Sequence, residues 1–147
     1  MRMKHNEAKG TRNTVLITGA SSGLGYELSL LFAKDGYNLV LVARNTEKLA
    51  AISNELELKY NISVKTITKD LAIPSSPKEI YDEVRKESIF IDVLVHNAGI
   101  GCIGCFGKFG ESDLSEDLRM MQVNMASLTS LTRLFLSDML ELGRGKY

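Results

Sequence analysis

The sequence predicts an α/β fold with a doubly wound, mostly parallel sheet, on three observations. Short apolar runs of strand length alternate with longer segments of helical periodicity, which implies right-handed crossovers. The runs at 15–18 and 38–43 are nearly continuous rather than alternating, as in strands buried on both faces. The first run ends in a glycine-rich turn, Thr18-Gly19-Ala20-Ser21-Ser22-Gly23-Leu24-Gly25, that opens a helix.

A strand running through such a turn into a helix leaves backbone N–H groups without partners at the positive end of the helix dipole, an anion site suited to phosphate. Gly19 can take the backbone angles of the turn, Gly23 lets the main chain approach a pyrophosphate, and Gly25 lets the helix pack closely on its strand. Ser21 and Ser22 add hydroxyl donors. A plain strand-to-helix turn is the alternative, and the rest of the chain decides between them. Leu24, Leu28, Leu31 and Phe32 repeat at helical spacing and form the expected inward face of this first helix, which ends near Gly36.

At 147 residues the chain fits one domain able to bury a core. Residues 1–13 are polar and read as a loosely held arm; 14–147 form the domain. Lysine plus arginine total 18, as do aspartate plus glutamate, so the formal charge is zero. That balance argues against a nucleic-acid partner or an anionic membrane surface. No apolar run approaches the roughly 18 residues of a membrane span. The N-terminus is basic but lacks the apolar stretch of a secretion signal, and a cytoplasmic protein is expected.

Cys102 and Cys105 lie in a glycine-rich loop. A structural zinc site wants about four ligands, and His5 and His96 are the only histidines. A redox pair belongs at the start of a helix. Free loop cysteines and no metal are therefore expected.

The second strand, Asn38 to Ala43, ends in Arg44, 19 positions after Gly25. Dinucleotide-binding sheets read the adenosine ribose near this position: an acidic residue accepts from the hydroxyls of NAD, whereas arginine pairs with the 2′-phosphate of NADP. NADP is thus favoured over NAD, a solvated arginine being the alternative. Asn45 reads as the N-cap of a second helix with Leu49, Ile52 and Leu56 inward. A third strand over Ile62 to Ile67 runs into Asp70-Leu71, at the rim where such sheets bind ligands. Asp70 can accept from an adenine amino group or serve as a plain turn cap.

Ser75, Ser76 and Pro77 start a third helix with Ile80, Tyr81 and Val84 inward. A fourth strand, Ile91 to Val95, leads into His96-Asn97-Ala98-Gly99, whose small residues allow close backbone approach to a ligand. His96, with no carboxylate in sight, reads as structural. After a glycine-rich loop, Asp113 and Glu116 fit a capping box. The long helix beyond has apolar residues at Leu114, Leu118, Met121, Met125, Leu128, Phe135, Met139 and Leu142. Such a repeat suits a homo-oligomer through this helix or, given Leu131 and Leu134, a helix packed on the sheet. Asn124 is either a core amide or part of a site.

With these motifs in order, residues 13 to 146 resemble the N-terminal part of a classical short-chain dehydrogenase/reductase. Thr18 to Gly25 resembles that family's TGxxxGxG turn, Asp70-Leu71 its adenine-side acidic position, Asn97-Ala98-Gly99 its NAG motif and Asn124 its helix asparagine. The resemblance implies a Rossmann-like sheet of order 3-2-1-4 lacking the later strands. It also implies a cofactor lined by Asn97, Ala98 and Gly99, and an Asn124 that holds a water in a proton relay. The relay's serine, tyrosine and lysine have no counterparts here. None of the five tyrosines begins a Tyr-x-x-x-Lys, and Arg144-Gly145-Lys146 resembles the turn into the fifth strand. The expectation is an NADP(H)-dependent oxidoreductase of a carbonyl or alcohol substrate, represented by a truncated chain that is inactive alone and leaves its fourth strand as a sheet edge. A non-catalytic nucleotide-binding or interaction module is the alternative.

Overall fold

The computed structural model describes residues 12–101 and 114–146. Most of the expected N-terminal arm, Cys102, Cys105 and the Asp113 cap lie outside the described residues. Four strands, β1 (Thr14–Thr18), β2 (Asn38–Ala43), β3 (Val64–Thr68) and β4 (Val93–Val95), form one parallel sheet in the order β3-β2-β1-β4. Leu16 stands opposite Val40 on one side and Leu94 on the other. Every residue of β1 is buried, as its unbroken apolar run requires.

Strand alternation divides the core into two layers. Leu16, Val40 and Val42 pack against Ile80 and Val84 of α3 (Ser76–Lys86) and against Leu131 and Phe135 of α5 (Leu128–Glu141). Val15, Ile17 and Leu39 face the other way, toward Ala33 of α1 (Gly23–Lys34) and Leu49 and Leu56 of α2 (Thr46–Tyr60). Asn45 caps α2 as its sequence position predicts, its Oδ1 accepting from the Lys48 N–H at 2.8 Å. Gly36, just past α1, takes a φ of +82°.

The inward face of α1 differs in part from the expected one: Leu28 and Phe32 pack against the second core layer, but the centre of the buried line lies elsewhere. Leu24 and Leu31 are 67% and 60% exposed, and the buried residues are Gly25, Ser29 and Ala33. The cause is the close approach of helix and turn. A Cβ on Gly25 would lie 2.2 Å from the Gly19 carbonyl oxygen, and the line at i, i+4, i+8 must stay small to follow the same contact.

The expected single long helix is also divided. Between α4 (Leu114–Met121) and α5, residues Gln122–Ser127 form a π-helical segment. Wider turns shift which residues point inward. Val123, Ser127, Leu131, Phe135 and Met139 are buried, whereas Leu114, Leu118, Met121, Met125, Leu128 and Leu142 remain exposed. The apolar repeat read from the sequence therefore joins two different faces.

β4 is not a bare edge. The Leu94 N–H donates to the Lys146 carbonyl at 2.8 Å, and the Lys146 N–H donates to the Asp92 carbonyl at 2.7 Å, a parallel bridge beside Val93. Gly145 makes the approach, with a φ of +143° and no room for a Cβ against Met139. Among the described residues no helix is long and apolar enough to cross a membrane.

Candidate functional site

The carboxyl ends of β1, β2, β3 and β4 open on one crevice of about 640 Å³. This is where open parallel sheets place ligands, between strands whose connections diverge to opposite faces. Its centre is a hydrogen-bonded knot joining β1 to the chain after β4. Thr18, 1% exposed, turns its hydroxyl into the sheet end. There Oγ1 accepts from the N–H groups of Asn97 and Ala98, each at 3.1 Å, and donates to the Val95 carbonyl at 3.4 Å. Asn97 replies with its Nδ2, which donates to the carbonyls of Thr18 and Gly19 at 3.1 Å.

This knot leaves no space at Gly19. With a φ of +67°, the residue already favours glycine, and a Cβ there would come within 2.9 Å of the Ala98 Cα and the Asn97 Nδ2. Gly25 sits behind the turn and contacts it from the helix side. Gly23, with a φ of +54°, has open space around its Cα. The backbone is therefore held close along one wall and free along the other.

Of the residues singled out by sequence, Gly19, Ser21 and Ser22 line the crevice on the turn side, and Asn97, Ala98 and Gly99 line it after β4. Arg44, Asp70 and Leu71 come from the ends of β2 and β3. Gly23, Leu24 and Gly25 are not in the lining: Leu24 faces solvent and Gly25 serves packing. Leu71 is mostly core, and its carbonyl accepts from the buried Ser127 hydroxyl at 2.6 Å.

Asn124 stands in the π-helical segment, outside the lining. Its Oδ1 accepts from the Ile100 N–H at 2.9 Å and its Nδ2 donates to the Ile100 carbonyl at 2.7 Å. The amide thus clamps the chain leaving Gly99, with one N–H and one oxygen lone pair remaining. Asp70 is likewise engaged. Oδ1 accepts from the Ala72 N–H at 2.9 Å, the turn-cap arrangement, and Oδ2 faces Arg119 Nη2 at 3.3 Å.

His96 is half-buried away from the crevice lining, with Nε2 2.8 Å from the Thr132 hydroxyl. Burial lowers its pKa, favouring the neutral ring. Among the described residues its hydrogen-bond partner is the Thr132 hydroxyl and no carboxylate, which suits a structural part. No cluster able to hold a metal occurs among the described residues.

Sequence reasoning missed Lys48, Lys69 and Arg119, which bring three further cations to the lining. Lys48 follows the Asn45 cap by three residues, a spacing that places it in the first turn beside the strand end. Arg119 arrives from α4 through tertiary packing and carries no comparable local signal. Thr18 is legible in the sequence only as part of a motif. Its role depends on the register between β1 and β4.

A model of the family described as short chain dehydrogenase matches residues 13–146. The chain belongs to the short-chain dehydrogenase/reductase family. A very-long-chain 3-oxoacyl-CoA reductase from Pyrenophora tritici-repentis is 40% identical over 96 residues, covering 62% of this chain and 28% of that protein. An NADP-dependent 3-hydroxy acid dehydrogenase from Schizosaccharomyces pombe is 40% identical over 88 residues, or 59% of this chain and 34% of that one. Among solved structures, a short-chain dehydrogenase from Sphingobium yanoikuyae in complex with NADPH has a TM-score of 0.82 at 32% identity, covering 90% of this chain and 50% of that chain. This short-chain dehydrogenase/reductase chain thus spans about half the length of that solved relative. The family is one of NAD(P)-dependent oxidoreductases, and the crevice fits its cofactor in chemistry: backbone amides at a helix start, an apolar floor from Val42, Leu71 and Val123, and cations at the β2 end.

Proposed function

We propose that this chain forms the adenosine- and pyrophosphate-binding part of an NADP(H)-preferring oxidoreductase acting on a carbonyl or secondary-alcohol substrate. The observation that carries the reading is Arg44, a cation at the β2 end of the crevice, in the place where an acidic residue would favour NAD. When bound, the nicotinamide cofactor supplies or accepts the hydride. The chain's own residues position it: the backbone at Gly19 to Gly23 and the hydroxyls of Ser21 and Ser22 take the pyrophosphate, and Arg44 takes the 2′-phosphate. Asp70 and Leu71 flank the adenine, while Asn97 to Gly99 form the wall beyond. Asn124 holds that wall through Ile100 and has capacity left for a water.

The reading includes a cytoplasmic location and no turnover by the 147 residues alone, because no Tyr-x-x-x-Lys occurs in the sequence. Titration with NADP and NAD tests the cofactor assignment. Arg44→Asp is expected to move preference toward NAD, and an unchanged preference refutes the role of Arg44. Reduction of a broad carbonyl panel with NADPH, above a Gly19/Gly23-substituted blank, refutes the inactivity.

A second reading, an interaction module or homo-oligomer, draws on the exposed row Leu114, Leu118, Met121, Met125 and Leu128. Sedimentation velocity checks it: a monomeric wild-type chain at tens of micromolar that also retains no partner on purification excludes this use of the row.

A further inference from the structure

The crevice carries four cationic side chains, Arg44, Lys48, Lys69 and Arg119, and their partners divide them into two classes. Lys69 is paired with Glu79, and Arg119 with Asp70. Arg44 and Lys48 have no ion-pair partner among the described residues. Their charges are available to a ligand, while those of the other two are already offset in part.

Both available cations stand on one short segment. Arg44 directly follows β2, and Lys48 occupies the first turn of α2. The turn is fixed at both ends: Asn45 Oδ1 accepts from the Lys48 N–H at 2.8 Å, and the hydroxyls of Thr46 and Thr68 meet at 3.0 Å, tying α2 to the end of β3. Glu47 lies between the two cations in sequence but does not line the crevice. Successive helical residues point about 100° apart, so the acid diverges from the face that Lys48 presents. The helix dipole adds positive potential at the same place.

Two uncompensated cations exceed what one monoanionic phosphodiester oxygen requires. They complement a phosphomonoester, which carries about −1.5 to −2 near neutral pH. We propose that Lys48 is a second specificity-determining residue, acting with Arg44 on the 2′-phosphate of the adenosine ribose; this rests on the NADP reading above. Arginine supplies a planar two-point contact and lysine a movable point charge, so the two are not redundant.

The probes are 2′,5′-ADP and 5′-ADP, titrated calorimetrically into the full chain as wild type, Lys48→Gln, Lys48→Arg and Arg44→Gln. Lys48 is exposed and Lys48→Gln is expected to melt as wild type does. The wild type is expected to bind 2′,5′-ADP at least about tenfold tighter than 5′-ADP, a margin typical of one charge-assisted contact. Lys48→Gln is expected to lose about five- to tenfold in affinity for 2′,5′-ADP, less than the loss of a bidentate arginine, with 5′-ADP nearly unchanged. Lys48→Arg retains most of the discrimination. If Lys48→Gln leaves 2′,5′-ADP binding intact, or weakens both probes equally, while Arg44→Gln weakens 2′,5′-ADP alone, the role of Lys48 is overturned and the NADP reading stands. A wild-type chain that binds both probes equally, or neither, overturns the NADP reading and this inference with it.

Discussion

Replacing Thr18 by valine removes one hydroxyl and keeps the side-chain shape, and among the described residues that hydroxyl is the only acceptor for two N–H groups. Oγ1 takes the N–H of Asn97 and of Ala98, both at 3.1 Å. A donor left without a partner in a buried place costs about 1–3 kcal/mol. Asn97 and Ala98 are only partly buried and border the crevice, so water recovers some of the loss and the lower half of that range applies to each. The sum is about 2–4 kcal/mol. In a domain of this size 1 kcal/mol moves the melting temperature by about 2–4 °C, so Thr18→Val is expected to melt about 4–16 °C below wild type. Thr18→Ser retains the hydroxyl and loses one methyl, a cost near 1 kcal/mol. Thermal denaturation followed by far-ultraviolet circular dichroism compares the three. A Thr18→Val protein melting within about 2 °C of wild type, or a Thr18→Ser protein falling equally far, refutes the account of the knot on the scale used here.

Gly25→Ala forces a Cβ to 2.2 Å from a backbone oxygen; it is expected to cost more than about 3 kcal/mol, whereas Gly36→Ala, with positive φ but open space, costs about 1–2 kcal/mol, and urea denaturation ranks them. Asn124→Asp keeps the acceptor for the Ile100 N–H but sets an anionic oxygen against the Ile100 carbonyl in place of the donor at 2.7 Å. Its destabilisation is expected to be larger at pH 7 than at pH 4, where the carboxyl can protonate and donate, and equal losses at both pH values would sink this picture of the clamp. His96 has a folded pKa depressed by burial, so the unfolded chain binds its proton first as pH falls. Its stabilising contribution is complete above the unfolded value near 6.5 and is lost as pH falls toward the folded pKa. Melts between pH 7.5 and 5 should show this decline in wild type and a flatter profile in His96→Gln.

Much of the fold was legible because local pattern and tertiary outcome obey the same rule. The unbroken apolar runs of β1 and β2 are buried on both faces, Asn45 caps α2, and the strands take the expected order. The pattern failed where a contact between elements outweighed local hydrophobicity. In α1 Leu28 and Phe32 pack on the core as expected, but Leu24 and Leu31 turn to solvent and Gly25, Ser29 and Ala33 take the buried line because the turn presses on the helix. In the long helix, the π-helical segment at Gln122–Ser127 set the sequence repeat on two faces.

The candidate site divides in the same way. Sequence by itself determined the family, the glycine turn, and the arrival of Arg44, Asp70 and Asn97 at strand ends, because each follows from its own strand and the turn after it. Only the tertiary structure decided which of those side chains have capacity left for a ligand. Asp70 is engaged by Ala72 and Arg119 and Lys69 by Glu79, and Asn124 keeps only half of its capacity beside Ile100, while Arg44 and Lys48 have no such ion pair among the described residues. Pairing of this kind joins residues far apart in the chain, and its outcome is set by which faces meet across the packed sheet.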